Sequence, residues 1–185
     1  MIRLRTPRLV LDAPREGDID AVFRACQDAQ IHEWVPLPDP YTHESAEFFV
    51  RSYVPHGEAS GAFTVWAVRL DDDPLIGVVE VRRDRAAGSA SLGCWLAAPA
   101  RGNGYMHEAL SRVVEHALDP QGLGFSRLRW EYLLGNETSK HLAESVGFEF
   151  DPSTAHEVVF HGRMRHAVVG YLGSGGGGAR RGRRG

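Results

Sequence analysis

The sequence predicts a single α/β domain in which helices flank a mixed, mostly antiparallel sheet. Its 185 residues are enough for one complete hydrophobic core. Three extended apolar runs, at 62–69, 75–83 and 89–97, follow one another with short turn sequences between them, as in an antiparallel meander. Helical patterns with one apolar face precede and follow these runs, so helices and strands interleave around one sheet.

The chain before these strands predicts one extended run and two helices. The run passes through Leu9 and Leu11, and Asp18 is predicted to cap the first helix. Residues 34–42, W-V-P-L-P-D-P-Y-T, hold three prolines in five residues and form neither regular helix nor central strand. A second helix is predicted from about His43. The apolar faces of the two helices contain Ile19, Val22, Phe23 and Cys26, and Ala46, Phe49, Val50 and Tyr53.

A glycine-bearing loop, R-G-N-G-Y at 101–105, lies between an apolar run and an amphipathic helix. The first N–H groups of that helix have no partner within it and lie at the positive end of its dipole, which suits a phosphate or pyrophosphate. Gly102 and Gly104 leave no side chain in the way. The apolar face of the helix contains Met106, Ala109, Leu110, Val113, Val114, Ala117 and Leu118.

The same glycines have a simpler explanation, in which they only turn the chain between a strand and a helix. A lone G-x-G is weak evidence for a binding loop. A dinucleotide fingerprint would need Gly or Ala where His107 stands, and no G-x-x-x-x-G-K-[ST] string occurs. Both of those phosphate-binding motifs are therefore disfavoured.

The rest of the chain completes the predicted sheet. Leu128, Trp130 and Tyr132 alternate with charged residues, as in a half-buried strand. A helix over 136–146 follows, with Gly147 as its left-handed cap. Extended runs at 157–160 and 165–172 end the domain. It spans 1–172, and the Gly/Arg-rich residues 173–185 are predicted to be disordered.

The loop R-G-N-G-Y-M resembles the pyrophosphate loop of the GNAT superfamily of acyl-CoA-dependent N-acyltransferases. That loop reads (Q/R)-x-x-G-x-(G/A); Arg101 and Gly104 match it, and Met106 replaces the last small residue. Met there is familiar in the branch resembling ribosomal-protein (alanine/serine) N-terminal acetyltransferases. T-P-R-L-V-L at 6–11, S-L-G-C-W-L at 91–96 and the run 135–148 follow in that branch's order, so the resemblance covers about residues 3–172.

The resemblance implies a sheet in which the family's strands four and five splay apart beside the loop. The pantetheine arm of acetyl-CoA, or of another acyl-CoA, would enter that gap and bond to the main chain around Trp95 and Leu96. Met106 would offer the cofactor a bulkier neighbour than the usual small residue. The implied cofactor-binding residues are Trp95, Leu96, Arg101, Gly102, Asn103, Gly104, Tyr105, Met106, Asn136 and Ser139.

The resemblance also implies direct acyl transfer in a ternary complex, without a covalent enzyme intermediate. Such a transfer needs a deprotonated amine, donors for the oxyanion and a proton for the departing thiolate. In this branch the Ser of N-x-x-S lies near the cofactor sulfur, so Ser139 is the predicted proton donor. The Tyr that many relatives use as the proton donor is replaced by Ala143 here, which favours Ser139 in that role. Alternatively, Asn136 and Ser139 only cap a helix.

The general base is left open at this stage. Many members of the family use a Glu on strand four, and the matching position is Ser91. Glu80 and Glu131 are the candidate catalytic carboxylates, with a chain of waters as the fallback, although a Glu on a strand is more often a solvated residue than a base. Cys94 has no His or acid neighbour in sequence to activate it and is predicted, like Cys26, to be a packed thiol.

The predicted acceptor is a primary amine, on a protein N-terminus or a small molecule. Residues 174–185 hold four arginines and no acid, so taking their charge from the net −3 leaves −7 on residues 1–173. That charge favours an amine-bearing partner over specific nucleic acid. By resemblance, the acceptor groove lies near the Pro-rich aromatic segment, although those side chains could instead only pack a helix end. They are Trp34, Pro36, Pro38 and Tyr41.

Other features bound the function. There is no apolar stretch of about 20 residues, no signal-peptide core and no metal-ligand spacing, so a cytoplasmic, metal-free protein without a membrane partner is predicted. A homodimer is left open. Two alternatives to acetyl transfer also stay open: transfer of a larger acyl group such as succinyl, and a non-catalytic acyl-CoA-binding or interaction module, which the missing strand-four Glu motivates.

Overall fold

A computed structural model describes residues 1–71 and 73–173. Apart from Gly173, the last residue of the final strand, the predicted tail 173–185 lies outside the described residues. Nine strands form one sheet in the order β1-β2-β3-β4-β5-β6-β9-β7, with β8 paired to β9. The strands are β1 (Leu4–Arg5), β2 (Val10–Asp12), β3 (Phe63–Arg69), β4 (Gly77–Arg83), β5 (Ser89–Leu96), β6 (Arg127–Leu133), β7 (Glu149–Phe150), β8 (His156–Phe160) and β9 (Arg163–Gly173).

Helices cover both faces of this sheet. They are α1 (Ile19–Ala25), α2 (Ala29–Trp34), α3 (His43–Phe48), α4 (Val54–Ser60), α5 (Tyr105–Leu118) and α6 (Glu137–Ser145). A π-helical turn, Phe49–Tyr53, joins α3 to α4, so the helix predicted from His43 continues to Ser60. The short helix α2 was not predicted, because its 6 residues are too few for a recognisable apolar face.

Strand pairing creates a gap in the middle of the sheet. Neighbouring strands are antiparallel except β5 and β6, which run parallel. That parallel pairing is limited to Ser89, Ala90 and Ser91 of β5, opposite Arg127–Arg129 of β6. Beyond Ser91 the two strands have no paired residues, which confirms the predicted splay and the predicted mixed sheet.

The core has two parts, one on each face of the sheet. On β3, Trp66 and Val68 belong to the part beneath α5, whereas Val65 and Ala67 belong to the part beneath α1 and α3. This separation follows from the alternation of side chains along a strand. The predicted apolar face of α5 is buried from Met106 to Ala117.

Asp18 has a different role from the predicted helix cap. No side-chain cap bond to α1 is present; its carboxylate accepts from the Arg15 N–H at 2.7 Å and from the guanidinium of Arg69. Arg69 and Asp18 are both fully buried. The predicted cap is therefore wrong: the Asp18 carboxylate binds Arg69, which lies 51 residues further along the chain, instead of an N–H group of α1.

None of the helices in the part of the chain that the structure describes is long and apolar enough to span a bilayer.

Candidate active site

The loop before α5 presents unpaired N–H groups. Gly102 and Gly104 have φ values of 78° and 76°, in the left-handed region that favours glycine. The Glu108 N–H donates to the Gly104 carbonyl at 3.1 Å, as the first turn of α5 closes. The N–H groups of the helical residues before Glu108 therefore have no partner within α5. They form the start of the helix where the sequence predicts pyrophosphate binding.

A cavity of about 620 Å³, here called the gap cavity, fills the space between the splayed strands. Its walls come from β5, β6, the loop and the start of α6. Of the predicted cofactor-binding residues, Asn103 does not line it; the Asn103 side chain donates back to the carbonyls of Ala100 and Arg101. The Met106 side chain is mostly in the core, with 7% exposed. The predicted residues that line the gap cavity are Trp95, Leu96, Arg101, Gly102, Gly104, Tyr105, Met106, Asn136 and Ser139.

Arg101 lines this cavity, but its guanidinium is already engaged. It donates to the Asp28 carboxylate, to the Gln30 side chain and, at 3.1 Å, to the Leu96 carbonyl. Hydrogen bonds from the Gln30 N–H and from Arg101 hold the pKa of Asp28 below its usual range. Arg101 therefore braces α2 against the end of β5, and its charge is offset by Asp28.

Arg8 supplies a cation beside the loop that sequence reasoning missed. Its guanidinium pairs with Glu108 at 2.6 Å, donates to the Asn103 carbonyl at 3.0 Å and lies 4.8 Å from the centre of the Tyr105 ring. Thr6 also donates to Glu108, at 2.5 Å. The T-P-R string was visible in the sequence, but its partner Glu108 lies 100 residues further along the chain.

Ser139 lies at the start of α6 with its hydroxyl held on one side. The indole N–H of buried Trp130 donates to Ser139 Oγ at 3.0 Å, and the Ser139 N–H donates to Asn136 Oδ1 at 3.1 Å. Asn136 is therefore the N-terminal cap of α6. Among the described residues, no acceptor is recorded for the hydroxyl proton of Ser139. That proton is available to a group in the gap cavity.

A second cavity of about 670 Å³, here called the proline-side cavity, lies on the opposite side of β5. It is bounded by the proline-rich segment after α2, by α3 and the π-helical turn, and by β3, β4 and β5. Pro36, Pro38 and Tyr41 of the predicted acceptor segment line it, whereas Trp34 lines the gap cavity. The two cavities share the residues Val35, Pro36, Gly93, Cys94 and Trp95.

Gly93 opens the wall between the two cavities. It lies on β5 with no atom within 4 Å of the position that a Cβ would take. Trp95, two residues further, points to the same face and is 9% exposed. At Gly93 the shared wall therefore consists of main-chain atoms without a side chain.

Glu80 lies directly across from this opening. It is the β4 residue paired with Gly93, so the two are neighbours on the same face of the sheet. Its carboxylate accepts from the Tyr53 hydroxyl at 2.8 Å and from Arg82 Nε at 3.0 Å. Burial, followed by the charge of Glu80, raises the pKa of Tyr53 to about 12, so Tyr53 stays a neutral donor.

Glu131, the other candidate base, lines the gap cavity instead. Its carboxylate pairs with Arg129 at 3.0 Å and lies 3.5 Å from His156 Nε2. Ser91, at the position of the family's usual strand-four Glu, also lines the gap cavity. The structure thus places one candidate carboxylate on each side of the shared wall.

The two cysteines are packed thiols, as predicted. Burial raises the pKa of Cys94 to about 12 and that of Cys26 to about 11. Both thiols are therefore protonated near neutral pH and are poor nucleophiles. Because Cys94 lines both cavities, the weak nucleophilicity of its thiol disfavours an acyl group carried on Cys94.

The chain matches a known domain family and known structures. The family described as "Acetyltransferase (GNAT) domain" matches residues 8–149. RimL, a ribosomal L7/L12 alpha-N-protein acetyltransferase solved with coenzyme A, has a TM-score of 0.79 and 16% identity, covering 93% of this chain and 98% of that one. RimJ of Mycobacterium smegmatis has a TM-score of 0.77 and 19% identity, covering 94% of this chain and 86% of that one.

A third similar structure is the microcin C7 self-immunity acetyltransferase MccE, solved with acetyl-CoA and AMP. It has a TM-score of 0.78 and 16% identity, covering 91% of this chain and 93% of that one. No curated protein matches the chain in sequence. At these identities the solved structures establish the fold.

Proposed function

Because the chain belongs to the GNAT acetyltransferase family, we propose that it moves an acetyl group from acetyl-CoA to a primary amine. Membership confirms the predicted enzyme class, an acetyltransferase, and the predicted cofactor. The amine is proposed to attack the thioester directly, in a ternary complex. The observation that carries this proposal is the meeting of two cavities at Gly93, one beside the loop and one beside Glu80.

The gap cavity fits the cofactor. Its loop offers main-chain N–H groups at a helix N-terminus, which suits a diphosphate, and the two glycines keep side chains away. The Arg8 guanidinium, which also pairs with Glu108, lies beside the loop and donates to the Asn103 carbonyl. The unpaired edge of β5 beyond Ser91 offers main-chain groups to the pantetheine arm. When bound, acetyl-CoA supplies the activated acetyl group.

The side chains at the junction are proposed to move two protons. Glu80 takes a proton from the incoming ammonium or, through a water, from the attacking amine. The amine nitrogen then bonds to the acetyl carbon as the carbon–sulfur bond breaks. Ser139 gives its hydroxyl proton to the departing sulfur while Trp130 stays bonded to Ser139 Oγ, and the Ser139 oxygen is then reprotonated, through water, by a proton removed from the acetylated nitrogen. Glu131 is the less favoured base, because it lines the gap cavity proposed for the cofactor, whereas Glu80 lines the proline-side cavity from which the amine is proposed to enter.

The catalytic interpretation is favoured over a non-catalytic acyl-CoA-binding module. That alternative was motivated by Ser91 at the position of the usual strand-four Glu. Glu80 places a carboxylate beside the same wall from the adjacent strand, which supports catalysis. RimL is described as an alpha-N-protein acetyltransferase, and MccE was solved with acetyl-CoA and AMP, so a protein amine and a small-molecule amine are both candidate acceptors for this chain.

The test mixes purified protein with acetyl-CoA and a panel of amines and peptides, and measures free thiol and N-acetyl product. We expect thiol release that depends on an amine and matches the product formed. Propionyl-CoA and succinyl-CoA in the same assay measure the tolerance for larger acyl groups. Thiol release without an amine, or binding without any release, would contradict the proposed transfer.

A further inference from the structure

We infer that the acceptor is a small monoamine with an apolar, ring-sized body that binds in the proline-side cavity and presents its amine at Gly93. This inference rests on the proposed function and names its substrate class. A volume of about 670 Å³ lies in the range of small-molecule sites. The proline-side cavity and the gap cavity share a wall that includes Gly93, so an amine placed at Gly93 faces the cavity proposed for acetyl-CoA.

The walls of this cavity are apolar and aromatic. Phe49 and Tyr53 are stacked with ring centres 5.8 Å apart, and the Trp95 side chain is on the β5 side. Val65 and Val78 form the floor. Such walls gain free energy by removing a hydrocarbon or ring from water. A polar body would lose its hydration here without compensation.

The polar side chains of the cavity are engaged with one another. Glu80, Arg82 and Tyr53 form a closed group: Tyr53 donates to Glu80 and accepts from Arg82, which pairs with Glu80 at 2.8 Å. Thr42 and Ser45 bond to each other's N–H groups at the start of α3. Few hydrogen-bonding groups are therefore left for a polar acceptor.

The charge of the cavity disfavours a polyamine. Arg82 compensates Glu80, so among the described lining residues Glu44 at the exposed rim is the remaining charged side chain. A polyamine would bring two or more ammonium groups: one would meet Glu80, and another would lie against apolar walls or reach Glu44 at the exposed rim, where a pair in solvent gains little free energy. One amine beside Glu80 and an uncharged body fit better.

The same features disfavour a protein N-terminus. Each residue of a bound peptide brings an N–H and a C=O group, and a buried group without a partner costs free energy. The cavity's polar side chains are already paired, and the free edge of β5 lies in the gap cavity. A compact amine carries no such groups beyond the reacting nitrogen.

The experiment compares kcat/KM at saturating acetyl-CoA across four sets of acceptors: n-alkylamines of increasing length, phenethylamine with tryptamine, spermidine, and short peptides beginning with Ala or Ser. We expect kcat/KM to rise about fourfold for each added methylene that is buried. The ring-bearing monoamines should exceed spermidine and the peptides.

A variant tests whether the preference arises in this cavity. Phe48 lines the cavity but is 61% exposed, so Phe48→Ser should leave the fold intact. We expect about a tenfold fall in kcat/KM for ring-bearing amines, with an unchanged acetyl-CoA Kd. Val159→Ser is the control, because Val159 is 73% exposed on β8 and does not line the cavity.

The outcomes separate the inference from the function on which it rests. If spermidine or a peptide is the better acceptor, or if Phe48→Ser and Val159→Ser behave alike, the inferred substrate class is wrong and amine acetylation stands. If no amine or peptide is acetylated although acetyl-CoA binds, the proposed function fails and the inference fails with it.

Discussion

Ser139 is placed to lose a proton while its oxygen stays fixed. Its Oγ accepts from the Trp130 indole at 3.0 Å, and Trp130 is 3% exposed, so the hydroxyl is held by a rigid, buried donor. A hydroxyl that accepts one bond keeps its own proton for another acceptor. The cap made by Asn136 and the proposed proton transfer by Ser139 are therefore compatible roles.

Ser139→Ala should lower kcat by about 10²- to 10⁴-fold and leave the acetyl-CoA Kd nearly unchanged, because the proton is needed only in the transition state. Steady-state kinetics and calorimetry measure the two quantities. Ser145→Ala, on the same helix and exposed, should keep full activity. Equal kcat for Ser139→Ala and the native protein would remove Ser139 from the mechanism.

Arg8→Gln should weaken acetyl-CoA binding about tenfold, because it removes a charge-assisted bond to the Asn103 carbonyl and the cation over Tyr105. The kcat at saturating acetyl-CoA should not change. Calorimetric titration measures the Kd, with Arg5→Gln on the same N-terminal segment as the matched loss of charge. Equal affinities for the two variants would show that Arg8 only ties the chain to Glu108.

Residues were predictable where a local pattern carries them. Gly104 and Ser139 lie in strings that resemble a family, so their positions could be named from the sequence. Arg8 and the partners of Glu80 could not, because each depends on contacts between segments far apart in sequence: Tyr53 and Glu80 are separated by 27 residues. No local spacing signals such a pair.

At the scale of elements, we propose two reasons for glycine in the turn into α5: the backbone conformation there, and the space that a diphosphate needs. Gly104 has a φ of 76°, a conformation that costs a side-chain-bearing residue about 1–2 kcal/mol. Gly61, at the end of α4, has a φ of 66° and open space around its Cβ position. A side chain would strain the backbone at either position, but only Gly104 lies at the proposed diphosphate site.

Gly104→Val should therefore abolish acetyl-CoA binding, whereas Gly61→Val should lose a similar amount of stability and bind normally. The branched side chain at 104 would occupy the place proposed for the diphosphate. Thermal unfolding and calorimetry on both variants measure stability and affinity. Tight acetyl-CoA binding by Gly104→Val would contradict the assignment of this loop.

The Asp18–Arg69 pair joins the turn before α1 to β3. Burial opposes ionisation of Asp18, but hydrogen bonds from Arg69, the Arg15 N–H and the Leu75 N–H outweigh it and hold the pKa of the carboxyl below its ordinary 3.8. The unfolded chain then binds the proton first as pH falls. The stabilisation is fully present above about pH 4 and is lost as pH falls through the folded pKa.

Asp18→Asn should lower the free energy of unfolding near neutral pH by about 3 kcal/mol, because buried Arg69 keeps the Asp12 carboxylate at 2.6 Å but loses the buried carboxylate of Asp18. The difference from the native protein should shrink below about pH 4. Urea unfolding at several pH values tests this, with Asp20→Asn as the exposed control. A difference that does not change with pH would mean that the charge of Asp18 is not responsible.

Elements were predictable where an apolar period is long. The runs at 62–69, 75–83 and 89–97 became β3, β4 and β5 with ends shifted by at most two residues, and α5 begins one residue before the predicted face. Helix α2 and the extension through the π-helical turn were missed. Tertiary packing stabilises both, since Ile31 and Val54 are buried although neither segment has a long apolar stripe of its own.

At the scale of the whole molecule, function depends on where the sheet fails to pair. The sequence pattern predicted the antiparallel meander of β3, β4 and β5, but not the parallel contact of β5 with β6, which involves three residues on each strand. The splay was therefore predicted from the family resemblance and not from an apolar pattern. In the proposed function, acetyl-CoA approaches β5 from the gap cavity and the acceptor approaches it from the proline-side cavity.

Two cavities that meet at one wall predict sequential kinetics, because both substrates must be bound before the acetyl group moves. Initial-rate plots should give intersecting lines, and mixing with acetyl-CoA alone should leave the protein mass unchanged.

Cys94 borders both cavities, but its pKa of about 12 keeps the thiol protonated, so it should not carry the acetyl group. Cys94→Ala should keep kcat within about threefold. Parallel initial-rate lines together with an acetylated Cys94 would instead establish a covalent route and overturn direct transfer.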